Sequence, residues 1–372
     1  VPGFPLGASV GVDELTGDPH PALARLRSQE PVSWLPALSA WLVTRHDLAR
    51  VVLADPGTFT VDDPRFSTAQ VVGPSMLSLE GAEHARHRAP FGKDFRRLDH
   101  LAVFAQEEAR RLLDGLRAAG AAELRRGFAG PLAVSVMAES LGLHGVEPST
   151  VLSWYDAIVS AVDGVSAGIA PGERSRSAFA ALRAGIEASI ARGRPSLLVA
   201  AAGELELSEV VSNAAVLMFG GIETTEGMIA TALRDVLARP ALEDPLDLVV
   251  EESMRLEPAA AMVDRYATRD TSLADARIQA GDKVIVSITG ANRDPAVFAE
   301  PDTFDPARQN LGRHLTFAHG PHFCVGLDLA RLQARVALRT LLDGLPGLRL
   351  DGPAPVRGLV FRKPDTVPVR WP

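Results

Sequence analysis

The chain has 372 residues, a formal charge of −8 and 47% hydrophobic residues. That supplies a large core and is too acidic for a general nucleic-acid binder, which needs a basic stripe. No run of about 18 apolar residues is present, so no membrane span is expected, and Val1-Pro2-Gly3-Phe4-Pro5 has no signal-peptide character, so the chain reads as cytoplasmic.

Helical periodicity recurs in chain order over Pro21–Ser28, Asp47–Ala54, Glu83–Phe95, Leu98–Ala118, Pro131–Leu141, Thr150–Val162, Arg174–Arg192, Val210–Arg239 and Leu327–Leu342. Strand-like runs are fewer: Val32–Leu35, Trp41–Thr44, Ser272–Ala274, Lys283–Ser287 and Val367–Arg370. The first two read as a hairpin turning between Pro36 and Ser39. No linker, repeat or low-complexity stretch divides the chain. One domain over residues 1–372 is expected, mainly α with small β-sheets toward one side.

The longest periodic segment carries the first chemistry. Ser208 is its expected N-cap, with Glu209 in the first turn. It runs without proline to Arg239, roughly 30 residues or about 45 Å. Ala214 to Ile222 is apolar on all sides, as in a buried helix. Gly220 and Gly221 fall inside it, at a cost of about 1 kcal/mol each relative to alanine. Close helix contact and a groove for a planar cofactor are both adequate reasons. Glu223 and Thr224 follow, an acid beside a hydroxyl in an apolar wall. With no histidine base near in sequence, the pair suits proton relay rather than nucleophilic attack.

Cys324 is the only cysteine, so no intrachain disulfide or multi-cysteine zinc site can form. A buried filler, a nucleophile or a single soft metal ligand remain. Gly320 and Gly326 bracket the sulfur, and the helix starting at Leu327 lies just behind it. A helix N-terminus stabilises a thiolate and lowers the thiol pKa, while glycine admits a flat, bulky partner. Those are the needs of a thiolate bound to haem iron.

Phe317-Ala318-His319-Gly320-Pro321-His322-Phe323-Cys324-Val325-Gly326 resembles the F-x-x-G-x-H-x-C-x-G signature of the cytochrome P-450 family at every fixed position. Gly220, Gly221, Glu223 and Thr224 resemble the family's [AG]-G-x-[DE]-T, and Glu252-Ser253-Met254-Arg255 its E-x-x-R. His84 to Arg88 is similar to H-x-x-x-R on the helix before the haem, with both side chains on one face and Arg86 off it. These motifs fall in the family's order, and the resemblance spans nearly the whole chain.

The resemblance implies the cytochrome P-450 fold, with a long central helix over a haem and a proximal cysteine loop. The cofactor would be heme b (iron protoporphyrin IX), ligated by Cys324 and seated by Gly220, Gly221, Phe317, His84, Arg88, Arg265 and His322. Glu223 and Thr224 would deliver protons to O2 bound against the two glycines. Glu252, Arg255 and Arg308 would form a structural triad. Met76, Leu77, Val216, Phe219, Ala260, Met262, Val263 and Phe361 would meet a hydrophobic substrate. Electrons would come from a ferredoxin and its ferredoxin reductase, docking near Arg96, Arg97, Arg331 and Arg335. The lid segment, about 146 to 207, looks short. The expected activity is that of a monomeric bacterial haem-thiolate monooxygenase, hydroxylating or epoxidising a small molecule. An atypical peroxygenase or coupling catalyst and a non-catalytic haem sensor are the alternatives.

Overall fold

The computed structural model describes residues 3–92, 98–143, 145–166, 169–240, 242 and 245–372. The expected periodic segments appear as helices His20–Gln29, His46–Ala54, Gly81–Gly92, Asp99–Leu116, Gly130–Leu141, Pro148–Ser166, Glu173–Ala191, Leu207–Leu237 and Leu327–Gly344. The tail of the expected Glu83–Phe95 helix, from Lys93 on, lies outside the described residues. Local chemistry sets the boundaries. Gly142 takes φ +83 and its N–H bonds the carbonyls of Ala138 and Glu139, ending Gly130–Leu141 in the left-handed turn that glycine favours.

The distal helix, Leu207–Leu237, corrects one expectation. Its cap is Glu206, not Ser208. The Glu206 side chain accepts from the Glu209 backbone, and the Glu209 carboxylate accepts from Glu206 N–H at 3.0 Å. This reciprocal pair satisfies two orphan donors where a lone hydroxyl would satisfy one. Starting earlier also packs Leu207 against the main core, and Ser208 becomes a first-turn residue.

A five-stranded sheet runs in the order Val32–Leu35, Ala40–Val43, Lys283–Ser287, Met262–Ala267, Phe59–Thr60. The expected hairpin is present, turned by Pro36–Leu38 with Ser39 at φ +48. Ala40–Val43 runs parallel to Lys283–Ser287, with Trp41 opposite Val284, and the other pairs are antiparallel. Strand Met262–Ala267 was not expected, because Asp264 and Arg265 interrupt its apolar pattern. Pro368–Arg370 lies between Ala121–Glu123 and Arg349–Leu350 in a separate small sheet.

The largest apolar cluster surrounds the distal helix, which packs on Gly130–Leu141, Pro148–Ser166 and Leu327–Gly344. Two smaller clusters flank the five-stranded sheet. Among the described residues, no helix is long and apolar enough to cross a membrane.

Candidate functional site

From Val210 to Leu233 every residue of the distal helix is buried except Gly220, Gly221 and Thr224. These three open a strip on an otherwise enclosed helix. The two glycines divide the explanations left open by sequence. A Cβ on Gly221 would lie 2.0 Å from Met137 Cε, so that position serves helix packing. A Cβ on Gly220 would meet nothing within 4 Å, so that position faces open space. Thr224 donates its hydroxyl to the Gly220 carbonyl one turn back, which leaves its oxygen as an acceptor.

The cysteine loop is held at both ends. Cys324 N–H bonds Phe317 O at 2.9 Å, and the loop feeds the helix Leu327–Gly344 that packs against the distal helix. Gly320, at φ +75, presses on helix His46–Ala54: a Cβ there would sit 2.4 Å from Leu53 O. Ala318 takes φ +61, a left-handed conformation costly for any residue with a Cβ. Part of the Cys324 surface is open, yet the dense protein around its sulfur pushes the thiol up, against the Gly326 N–H and the charges of Arg88 and Arg331. A metal cation at the sulfur would supply what these groups lack.

Around that loop the four expected cofactor-anchoring side chains converge. The His84 and His322 rings stand 4.2 Å apart, and His84 Nδ1 and Nε2 face the carbonyls of Met76 and Pro321 at 2.8 and 3.1 Å. Arg88 donates to Phe323 O. A cleft of about 620 Å³ runs between His84, Arg88, Glu80 and Pro321. His322 Nε2 donates to Glu80 at 3.0 Å. Burial holds His322 below its ordinary value, while that bond, the Val61 N–H and nearby Arg265 hold Glu80 low despite burial.

Arg265 is 5% exposed, and burial pulls it down to about 10. The guanidinium's only hydrogen bond among the described residues goes to Asp264 O at 2.7 Å. A guanidinium so buried and so sparsely bonded calls for an anion. With the open face at Gly220, these residues fit a haem, whose carboxylates Arg265, His84, Arg88 and His322 would hold. Glu80, which orients His322, had no sequence signal of its own.

The expected triad is present. Glu252 accepts from Arg255 Nε and Nη2 at 2.7 and 2.8 Å and from Arg308 Nε at 3.0 Å. Asp305 N–H adds a fourth bond at 2.9 Å, and Arg255 Nη1 reaches Asn292 O and Pro301 O at 2.8 Å each. Both Glu252 and Arg255 are 0% exposed.

Glu223 has partners that sequence did not disclose. Its Oε1 is 2.6 Å from Lys363 Nζ, and its Oε2 accepts the Tyr155 hydroxyl. Lys363 also reaches Glu226 Oε2 at 2.8 Å. The one available signal was the rarity of lysine, since only Lys93, Lys283 and Lys363 occur.

The expected substrate residues divide. Phe219 and Phe361 meet edge to face at 5.2 Å, and Phe361 bridges to Ala260. Met76 N–H bonds the distal-helix Asn213 at 2.8 Å, and Val216, Met76 and Leu77 belong to or pack on the main core. Strand alternation places Val263 on the same face as Arg265. Met262 points the other way, into a cluster with Leu15, Leu26 and Ile285, and so leaves the expected set.

Arg331, of the expected docking set, is half-buried and already has an acidic partner. It is tied to Glu251, which also takes His314 at 2.8 Å, and it stacks 5.1 Å over Phe317. Arg335 is exposed and 3.4 Å from Asp247. Arg96 and Arg97 lie outside the described residues.

With this geometry in place, comparison with known proteins is informative. The family described as Cytochrome P450 matches residues 244–344. The cytochrome P450 monooxygenase PikC of Streptomyces venezuelae is 34% identical, over 100% of this chain and 94% of PikC. The mycinamicin IV hydroxylase/epoxidase of Micromonospora griseorubida is 34% identical, over 93% of this chain and 94% of that protein. The crystal structure of CalO2 superposes with a TM-score of 0.86 at 27% identity, covering 97% of each chain.

Proposed function

The chain belongs to the cytochrome P450 family, and from that premise we propose how its residues divide the work. It is a haem-thiolate monooxygenase that inserts one oxygen atom from O2 into a hydrophobic small molecule. The cofactor is heme b, and the whole of residues 1–372 acts as one unit around it. When bound, the haem supplies reductive activation of O2.

The chain's own residues do the rest. Cys324 would hold the haem iron through its thiolate. Arg265, Arg88, His84 and His322 hold the propionates, and Phe317 flanks the cysteine loop. Gly220 leaves the distal face clear. Thr224, with its proton committed to Gly220 O, accepts a hydrogen bond from water or substrate oxygen in the strip, and Glu223 supplies protons to it. Phe219, Phe361, Ala260, Val263, Val216, Met76 and Leu77 wall the substrate; the paired rings of Phe219 and Phe361 support an apolar one. A ferredoxin, reduced by its reductase, brings electrons to the cysteine side in the cytoplasm. There Phe323 is 40% exposed beside Cys324, and Arg335 is the exposed cation of the expected docking set.

The observation that carries this reading is the strip of Gly220, Gly221 and Thr224, the only opening along 24 residues of buried helix. The test is a reduced, CO-bound spectrum of the holoenzyme. Wild type is expected to give the red-shifted Soret band of a thiolate-ligated haem, and Cys324→Ser to lose it with all monooxygenase activity. Retention of the band in Cys324→Ser would overturn the assignment. Titrating the ferric protein with terpenoids, macrolide cores, fatty acids and aromatics then identifies the substrate class by the low-to-high spin shift.

A further inference from the structure

The acid of the proton pair is held from both sides. Glu223 Oε1 is 2.6 Å from the Lys363 ammonium, and Oε2 accepts the Tyr155 hydroxyl. Both oxygens are engaged, so loading a proton and presenting it to Thr224 requires one bond to open. Tyr155 is 2% exposed, and its hydroxyl makes this bond alone among the described residues. Opening it would leave a buried donor without an acceptor. Lys363 has an alternative.

Glu226 lies one turn along the helix on the same face. It is 0% exposed, and its Oε2 is already 2.8 Å from Lys363 Nζ. Its Oε1 receives no hydrogen bond; the nearest cation is Arg126 Nε at 3.4 Å. That leaves a buried carboxylate short of a donor, so a shift of the ammonium further onto Glu226 offsets a cost already present. Gly227 clears the approach, since a Cβ there would crowd Lys363 Cβ at 3.3 Å. The other groups on the pair are Arg125, 3.5 Å from Glu226, and Asp156, which lies 3.7 Å from Arg126 and moderates its charge.

We propose that Lys363 is a positioning residue of the proton relay: its ammonium moves between Glu223 and Glu226, and Glu223 binds and passes a proton only while the ammonium rests wholly on Glu226. Lys363 keeps its three protons throughout. The proton that Glu223 takes from water is the one it hands toward Thr224, and the returning ammonium restores the ionised, clamped state. The proposal rests on the monooxygenase reading above.

Two variants test it. Lys363→Met leaves Glu223 without its cation in a buried wall, where the neutral acid is favoured. The infrared spectrum of the holoenzyme should then gain the C=O stretch of a protonated carboxylic acid at neutral pH. That band should be absent from wild type, from Lys363→Arg and from the double variant Lys363→Met/Glu223→Gln. Glu226→Gln removes the second seat while keeping its shape. Product formation should fall by roughly 10²-fold, with a larger solvent deuterium isotope effect and an unchanged spin-state titration. An unchanged infrared spectrum in Lys363→Met, or an unchanged isotope effect in Glu226→Gln, would reduce Lys363 to a prop for its loop. If Lys363→Met does not fold, Glu226→Gln decides alone. The haem reading fails separately, by loss of the thiolate CO band in wild type.

Discussion

Glu252 and Glu226 are both fully buried glutamates on helices, both faced by cations, and they are held in opposite ways. Glu252 accepts four hydrogen bonds, two of them from one guanidinium whose planar fork matches the carboxylate. Glu226 has one oxygen without a hydrogen bond and shares its closest cation with Glu223. Saturation fixes a geometry; a shared, mobile ammonium permits two. The cysteine side needs a loop that does not move, whereas the oxygen side needs a proton to pass. The contrast recurs within two adjacent residues. Arg362 is 2% exposed and donates to the carbonyls of Leu15, Thr16, Gly17, Val356 and Gly358, while its neighbour Lys363 divides between two acids.

The strongest way to break this contrast is Arg255→Ala. Removing a bidentate partner strands Glu252 as a buried charge, and the expected loss is about 3–5 kcal/mol in denaturant unfolding of the holoenzyme. A cost under about 1 kcal/mol would mean that the triad is not saturated in solution.

Acid unfolding gives a somewhat smaller effect at the anchor of Arg362. Burial raises Glu257, but His20, Arg293 and Arg362 outweigh it and hold the carboxyl at about 2. A depressed carboxyl contributes stability that is fully present above its ordinary value of 4.5 and is lost as pH falls toward 2. That contribution is roughly 3 kcal/mol. Glu257→Gln should flatten the stability–pH curve between pH 4.5 and 2; an identical acid limb in the variant would show that other carboxyls set it.

The smallest effect sharpens the comparison from the other direction. Ala318 holds φ +61 inside the rigid cysteine loop. Ala318→Gly relieves that strain and should add about 0.5–1 kcal/mol without altering the CO-bound spectrum. A destabilised variant would mean that the methyl group, not the backbone, is what the loop needs.

The legibility of the two sides in sequence follows the same line. Cys324, Glu252, Arg255 and the two glycines occupy short, fixed spacings, because rigid local geometry demands them, and the long helices announced themselves by period. The strand Met262–Ala267 stayed hidden because the charged pair Asp264 and Arg265 sits at its centre, where a strand would ordinarily place an apolar residue. Met262 was misassigned for the same reason: without the strand, its alternation from Val263 could not be read. Lys363 and Tyr155 reach Glu223 from opposite directions along the chain, Tyr155 from 68 residues away, so no local pattern records them. Arg331 looked free because its partner, Glu251, lies 80 residues earlier.

Gly320 ties the order of synthesis to the birth of the site. The carbonyl of Leu53, against which this glycine presses, belongs to a helix that is synthesised well before the cysteine loop. Domains are built from the N-terminus at about 5–20 residues per second, so the seat waits for its occupant for tens of seconds at the slower end. The loop closes by a long-range encounter, whose entropic cost rises with the logarithm of the chain it must span. A nascent chain stalled before residue 320 therefore carries the Leu53 carbonyl without the loop that packs on it, and Cys324 is placed only once that contact can form.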